Sequence, residues 1–178
     1  MAQQNPNNTF YRYSMNLINP AFAWADGTEI GLGIRNQWAN VVGAPTTQSV
    51  FFGHDFGRNV GLGVSVINDK KFIDNQTSIA IDFSYKLNLS ERTQLFLGLK
   101  GTVNSYDANL DDLKTLNTVI DPSLNAIDGG FNPNLGVGVL LKGRDYFLSF
   151  SIPKILISDR LEDTNGTIGL GSDRIHWF

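Results

Sequence analysis

The chain has 178 residues, a formal net charge of −3 and 17% charged residues, which suits one domain or a piece of a larger one and argues against a nucleic-acid partner, since that favours a basic surface. It has no cysteine, so a disulfide framework and thiolate metal ligation are both excluded. Mean hydropathy is −0.12 and no apolar run approaches the ~20 residues of a membrane helix. A transmembrane β-barrel fits both values, because its inward-facing residues dilute the lipid-facing ones.

The start, Ala2-Gln3-Gln4-Asn5, reads as a mature N-terminus left by signal peptidase, with Met1 added at expression. Residues 1–27 are rich in Asn, Pro and aromatics and are expected to form a periplasmic, plug-like segment ahead of barrel strands in 28–178. Within them Tyr11, Tyr13, Met15 and Leu17 alternate with Arg12, Ser14 and Asn16, which allows an additional strand before the breaker Asn19-Pro20. From Thr28 to Trp38, Ile30, Leu32 and Ile34 share one face, opposite Gly31, Gly33 and Arg35. Successive side chains of a strand point to opposite faces, so this segment predicts a two-faced strand. Thr47 to Asp55 is less regular, with Val50 and Phe52 opposite Ser49, Phe51 and Gly53. Asn59 to Ile67 sets Val60, Leu62, Val64 and Val66 against Gly61, Gly63 and Ser65. Thr77 to Leu87 sets Ile79, Ile81, Phe83, Tyr85 and Leu87 against Ser78, Ala80, Asp82, Ser84 and Lys86. Thr93 to Asn104, Asn134 to Leu141 and Asp145 to Ile152 repeat the pattern, with Lys100 on the small-polar side.

No apolar-face position outside 47–55 carries a charge. A bilayer enforces that, because Arg or Lys on a lipid face costs about 2–4 kcal/mol at the midplane. The opposite faces are dominated by Gly, Ser, Ala and Thr, which suits a crowded lumen, and their charges are Arg35, Asp82, Lys86 and Lys100. The connections also sort by length: Ala39–Thr46, Asn68–Gln76, Ser105–Pro133 and Pro153–Asp173 are long, while Phe56–Arg58, Asn88–Arg92 and Lys142–Arg144 are short. Outer-membrane barrels pair short periplasmic turns with longer extracellular loops. The fold expected is therefore all-β, an antiparallel transmembrane outer-membrane β-barrel. A soluble β-sandwich binding module also alternates and stays open as an alternative.

The Gly-x-Gly pairs Gly31/Gly33, Gly61/Gly63 and Gly136/Gly138 lack the third glycine of a dinucleotide loop, because Asn36, Val66 and Leu141 stand where it belongs. They read instead as a glycine-lined inner face that a backbone or plug approaches closely. His54 and His176 have no partner at metal-ligand spacing. The acidic groups Asp107, Asp111 and Asp112, and Asp159, Glu162 and Asp163, lack the spacing and glycine of a calcium loop and read as solvated loop charge. No Gly-x-Ser-x-Gly elbow occurs, so no catalytic site, metal site or cofactor is expected. Trp24, Trp38, Phe56, Phe72, Tyr85 and Tyr146 are candidates for interfacial aromatic girdles.

Several blocks, in order, resemble the PorP/SprF family, outer-membrane components of the type IX secretion system of Bacteroidota. They are Tyr11-Arg12-Tyr13-Ser14-Met15-Asn16 leading to Asn19-Pro20-Ala21, then Arg35-Asn36-Gln37-Trp38 with Gly43-Ala44-Pro45-Thr46-Thr47-Gln48-Ser49. Gly61 to Lys70, Leu97-Gly98-Leu99-Lys100-Gly101, Asp121-Pro122, Pro133 to Gly138 and Ser151-Ile152-Pro153 follow. The resemblance implies a barrel without catalysis, in the outer membrane after signal-peptide removal. It would support export or surface anchoring of cargo with a C-terminal sorting domain, a gliding adhesin among them, in contact with periplasmic ring proteins. The long loops, with Asp69, Lys70, Asp107, Asp111, Asp159 and Arg160, are expected outside as the partner surface. Family members are longer, and the block Arg174-Ile175-His176-Trp177-Phe178 resembles one that opens a further strand in the family. A terminal Phe178 after an aromatic also resembles the end of a small closed barrel, but Asp173–Phe178 is shorter than the ~9–11 residues of a spanning strand. The chain therefore reads as the truncated N-terminal half of a barrel with about seven complete strands, whose two open edges lipid does not tolerate and other strands are expected to cover. A small-solute porin is the alternative function.

Overall fold

The computed structural model of the chain describes residues 14–38, 43–71, 74–108, 131–156 and 176–177. After a helical turn, α1 (Met15–Ile18), and a 3-10 turn (Pro20–Phe22), the chain enters an antiparallel meander. Its strands are β1 (Glu29–Asn36), β2 (Thr46–Asp55), β3 (Val60–Lys71), β4 (Asp74–Ser90), β5 (Thr93–Ala108), β6 (Phe131–Lys142), β7 (Phe147–Ile152) and β8 (His176–Trp177). Each strand pairs with the next in sequence. Among the described residues no strand lies beyond β1 or β8, so the sheet is open, a curled half-barrel.

The period-two pattern sorts the two faces as the sequence predicts. Ile30, Leu32, Ile34, Val64, Ile81 and Leu99 are exposed on the convex face, while Ser65, Ala80, Asp82, Ser84, Lys100 and Thr102 are buried on the concave one. Along β4 the outward apolar run from Ile79 to Leu89 covers about 33 Å of strand at ~3.3 Å per residue, and at the ~40° tilt of membrane barrels stands about 25 Å tall. That is the height of a barrel's lipid belt.

Two expectations are corrected. The polar stretch 68–76 is not a long loop: β3 runs to Lys71 and β4 begins at Asp74. The ladder persists past the belt because polar partners replace apolar ones, with Asn68 Nδ2 donating to Asn75 Oδ1 (2.9 Å) and Thr77 Oγ1 (3.0 Å). The additional strand at 11–17 is also absent from its described part, since Met15–Ile18 is a helical turn. Met15, Asn16 and Leu17 are all buried, so the alternation there marks no exposed face. Tyr11 and Tyr13 lie outside the described residues. The irregular segment 47–55 is a regular strand whose inward Phe51 is accommodated by Gly31, where a Cβ would run into the Phe51 ring.

The buried apolar cluster among the described residues is Ala21, Ala23, Trp24, Phe96 and Leu140. The segment between Met15 and Ala25 supplies its first three members and crosses the concave face. It meets β2 at Gly53, β3 at Gly61, β5 at Gly98 and β6 at Gly138. Ser84 of β4 and Ser151 of β7 bond to it as well. Six flat strands span ~24 Å at ~4.8 Å spacing. Residues Ile18–Trp24 cannot reach that far with a 3-10 turn rising about 2 Å per residue among them. The sheet therefore curls around the segment.

Candidate functional site

Register places Gly61, Ser84, Gly98, Gly138 and Ser151 side by side across β3 to β7, all on the concave face. This row of small residues is the track on which the N-terminal segment lies. A Cβ at Gly61 would overlap the Trp24 indole, one at Gly98 the Ala21 main chain, and one at Gly138 the Asn19 amide. Absence of side chains is thus what admits a second layer of backbone at van der Waals distance.

The donors along the track point at carbonyl oxygens. Ser151 Oγ donates to Ile18 O (2.8 Å), Ser84 Oγ to Ala21 O (3.2 Å) and Lys100 Nζ to Asn16 O (3.2 Å). Two side chains of the segment answer. Trp24 Nε1 donates to Ser84 O at 3.3 Å, and the indole packs edge-on against Phe96 with centroids 5.7 Å apart. Asn19 Oδ1 accepts from the Ala21 amide (2.9 Å), which caps the 3-10 turn that Pro20 begins. Its Nδ2 donates to Ser149 Oγ at 2.8 Å. Where the segment leaves the track, Lys142 Nζ donates to Ala25 O (2.8 Å) and pairs with Asp26 Oδ1 (2.5 Å).

One row further toward the long-connection end, Gly53, Gly63, Asp82, Lys100 and Gly136 stand side by side. Lys100 Nζ lies 2.8 Å from Asp82 Oδ1 and donates to Asp82 Oδ2 at 3.0 Å, with Lys100 only 4% exposed. The ammonium therefore bridges the carboxylate of β4 and the carbonyl at Asn16.

Of the residues singled out from sequence, Asp82, Lys86 and Lys100 come together against the segment, with Lys86 Nζ 4.6 Å from the Trp24 ring centroid. Arg35 lies on the same face but apart, bonded to Gln37 Oε1 at 3.2 Å. Asp69 is not in a loop and does not offer its carboxylate outward. It is buried in β3, accepting from Thr47 Oγ1 (2.6 Å) and paired with Lys71 (2.6 Å). Lys70 and Asp107 are likewise strand residues, exposed on β3 and β5, while Asp111, Asp159 and Arg160 lie outside the described residues. Of the girdle candidates, Trp38, Phe56, Tyr85 and Tyr146 are exposed. Trp24 is 4% exposed and belongs to the segment instead. Phe72 lies outside the described residues. His54 sits beside Phe52 and Phe56 and shares a 2.9 Å hydrogen bond with Thr28 Oγ1.

Sequence reasoning missed Asn19, Ser84, Gly98, Ser151 and Lys142. A signal was present, because Gly or Ser recurs at the inward phase of each strand from β3 to β7. Which of those positions align becomes visible only with the register.

A half-barrel with an apolar belt outside, and a concave face shaped to hold a length of polypeptide, defines a membrane β-barrel protein. Over residues 1–177 the chain matches the family described as type IX secretion system membrane protein PorP/SprF, and it belongs to that family. No curated protein and no solved structure matches it.

Proposed function

We propose that the chain forms outer-membrane wall in a type IX secretion component that supports export or cell-surface anchoring of cargo carrying a C-terminal sorting domain, without catalysis. A surface adhesin of a gliding cell is one such cargo. The match to a secretion-system membrane family over residues 1–177 carries this reading. The concave face supports it: its polar groups hold a polypeptide segment, and Lys100, its most buried cation, is engaged with Asp82 and a carbonyl. Residues 1–27 act as the plug-like segment, and Arg35, Asp82, Lys86 and Lys100 face the lumen. The short turns β2–β3, β4–β5 and β6–β7 face the periplasm and its ring proteins. The opposite end, with Lys70 and Asp107 at the rim and Asp111, Asp159 and Arg160 in the long connections, meets cargo outside.

The test is deletion of the gene in the native host, with surface display of a sorting-domain reporter as readout and the full-length protein supplied in trans. Display is expected to fall on deletion and return on complementation. Unchanged display, with reduced small-solute uptake, would transfer the assignment to a porin.

A further inference from the structure

We infer that the concave track is a polypeptide-binding site that the chain's own residues Asn16–Trp24 both occupy and vacate, with Lys100 as the catch. The inference rests on the export reading above, which supplies a second polypeptide to bind.

Four observations carry it. First, the segment contributes no strand: β1 to β8 pair with one another in order, so lifting it off leaves the ladder hydrogen bonds intact. Second, the track recognises main chain. Ser151, Ser84 and Lys100 all donate to main-chain carbonyl oxygens, at Ile18, Ala21 and Asn16, a group that every polypeptide carries whatever its side chains. Third, the vacated surface suits another chain, since its two central rows hold Gly, Ser, Asp and Lys for main chain, while Phe96 and Leu140, buried under the segment, call for an apolar cover in its place. Fourth, the Asp82–Lys100 ion pair, at 2.8–3.0 Å, joins two strands of the sheet and does not include the segment, so its charges stay paired when the segment departs. A buried ion pair is a poor way to gain stability compared with packed apolar residues, and its best-attested use is to fix register or to switch. An ionisable pair within a membrane-embedded wall points the same way. Here the register fixed is that of the segment along a track whose small residues alone would hold it less specifically. The ligand class is a polypeptide that, like the segment, lies as short helical turns with small side chains at the track, as in Ala21 and Ala23, and an aromatic to fill the Trp24 place over Phe96.

The deciding experiment tethers the segment in place. A Cβ on Gly63 stands 3.2 Å from the Ala23 Cβ, so a retreat of the segment by a few tenths of an ångström brings the pair into the ~3.5–4.5 Å range of a disulfide, and the chain has no native cysteine to compete. Full-length protein carrying Ala23→Cys and Gly63→Cys is expected to assemble in the membrane, to lose reporter display about tenfold when oxidised, and to recover it on reduction. Wild-type display by the oxidised form overturns the inference, since the segment is then a fixed part of the wall. If reduction does not restore display, the purified full-length protein decides. With Ser84→Cys as a buried probe, maleimide labelling is expected to accelerate at least tenfold when Asp82→Leu and Lys100→Met remove the catch together. Equal labelling rates overturn the inference. Normal display in the gene-deleted strain would sink the export reading instead, and the labelling result would stand apart from it.

Discussion

On the convex face of β4, Ile79, Ile81, Phe83, Tyr85 and Leu87 share only a property, that of being apolar and exposed. On the concave face, Ser84 and its row neighbours Gly61, Gly98 and Gly138 share a size, and each meets the N-terminal segment. The first face answers to a solvent, which averages over positions. The second answers to a particular stretch of chain, which does not. Substitutions should therefore be graded by chemistry outside and by single atoms inside.

The largest effect is expected at the ion pair. Lys100→Met strands a buried carboxylate at Asp82 and should destabilise by about 3–5 kcal/mol, whereas Asp82→Leu with Lys100→Met should recover most of that loss. Urea unfolding of the full-length protein in lipid vesicles measures both. A double variant no more stable than the single one would show that the charges do not act as a pair. Next comes the outer belt. Ile81→Lys puts an ammonium into lipid at a 60% exposed site and should cost about 2–4 kcal/mol in the same assay. Ile81→Val should cost well under half as much. An indifferent response to lysine would remove the lipid from that face.

The smallest and sharpest contrast lies within one strand. At Gly98 a Cβ would overlap the Ala21 main chain, so Gly98→Ala should cost about 1–3 kcal/mol, by overpacking or by pushing the segment off the track. At Gly101, on the opposite face, a Cβ meets nothing within 4 Å. Gly101→Ala should be neutral or stabilise by roughly 0.5–1 kcal/mol, because alanine has less chain entropy to lose on folding. Equal effects at the two glycines would mean that the segment does not rest on the track.

The same division explains what could be read without coordinates. Strand identity and the outer face were legible because lipid excludes charge from every second residue of Ile79–Leu89, a pattern needing no partner to define it. The Gly-x-Gly pairs were legible as places of close approach, but their uses differ. Gly61 and Gly138 meet Trp24 and Asn19 of the segment, while Gly31 and Gly33 meet Phe51 and Ser49 of the adjacent strand. Stretch 68–76 was misjudged because strands that rise past the lipid lose their apolar alternation while keeping their ladder, as Asn68, Asn75 and Thr77 do. Trp24 looked like a girdle residue because amphipathic rings suit both a headgroup layer and a capped interior site.

The sequence by itself determined an all-β membrane wall and its family, since both rest on local periodicity and ordered blocks that the chain carries in one dimension. Only the tertiary structure decided what fills the concave face. Register must align Gly61, Ser84, Gly98, Gly138 and Ser151 across five strands before a track exists, and the sheet must curl before Asn16–Trp24 can reach it. Contacts between residues as far apart in the chain as Ile18 and Ser151 leave no periodic trace to read.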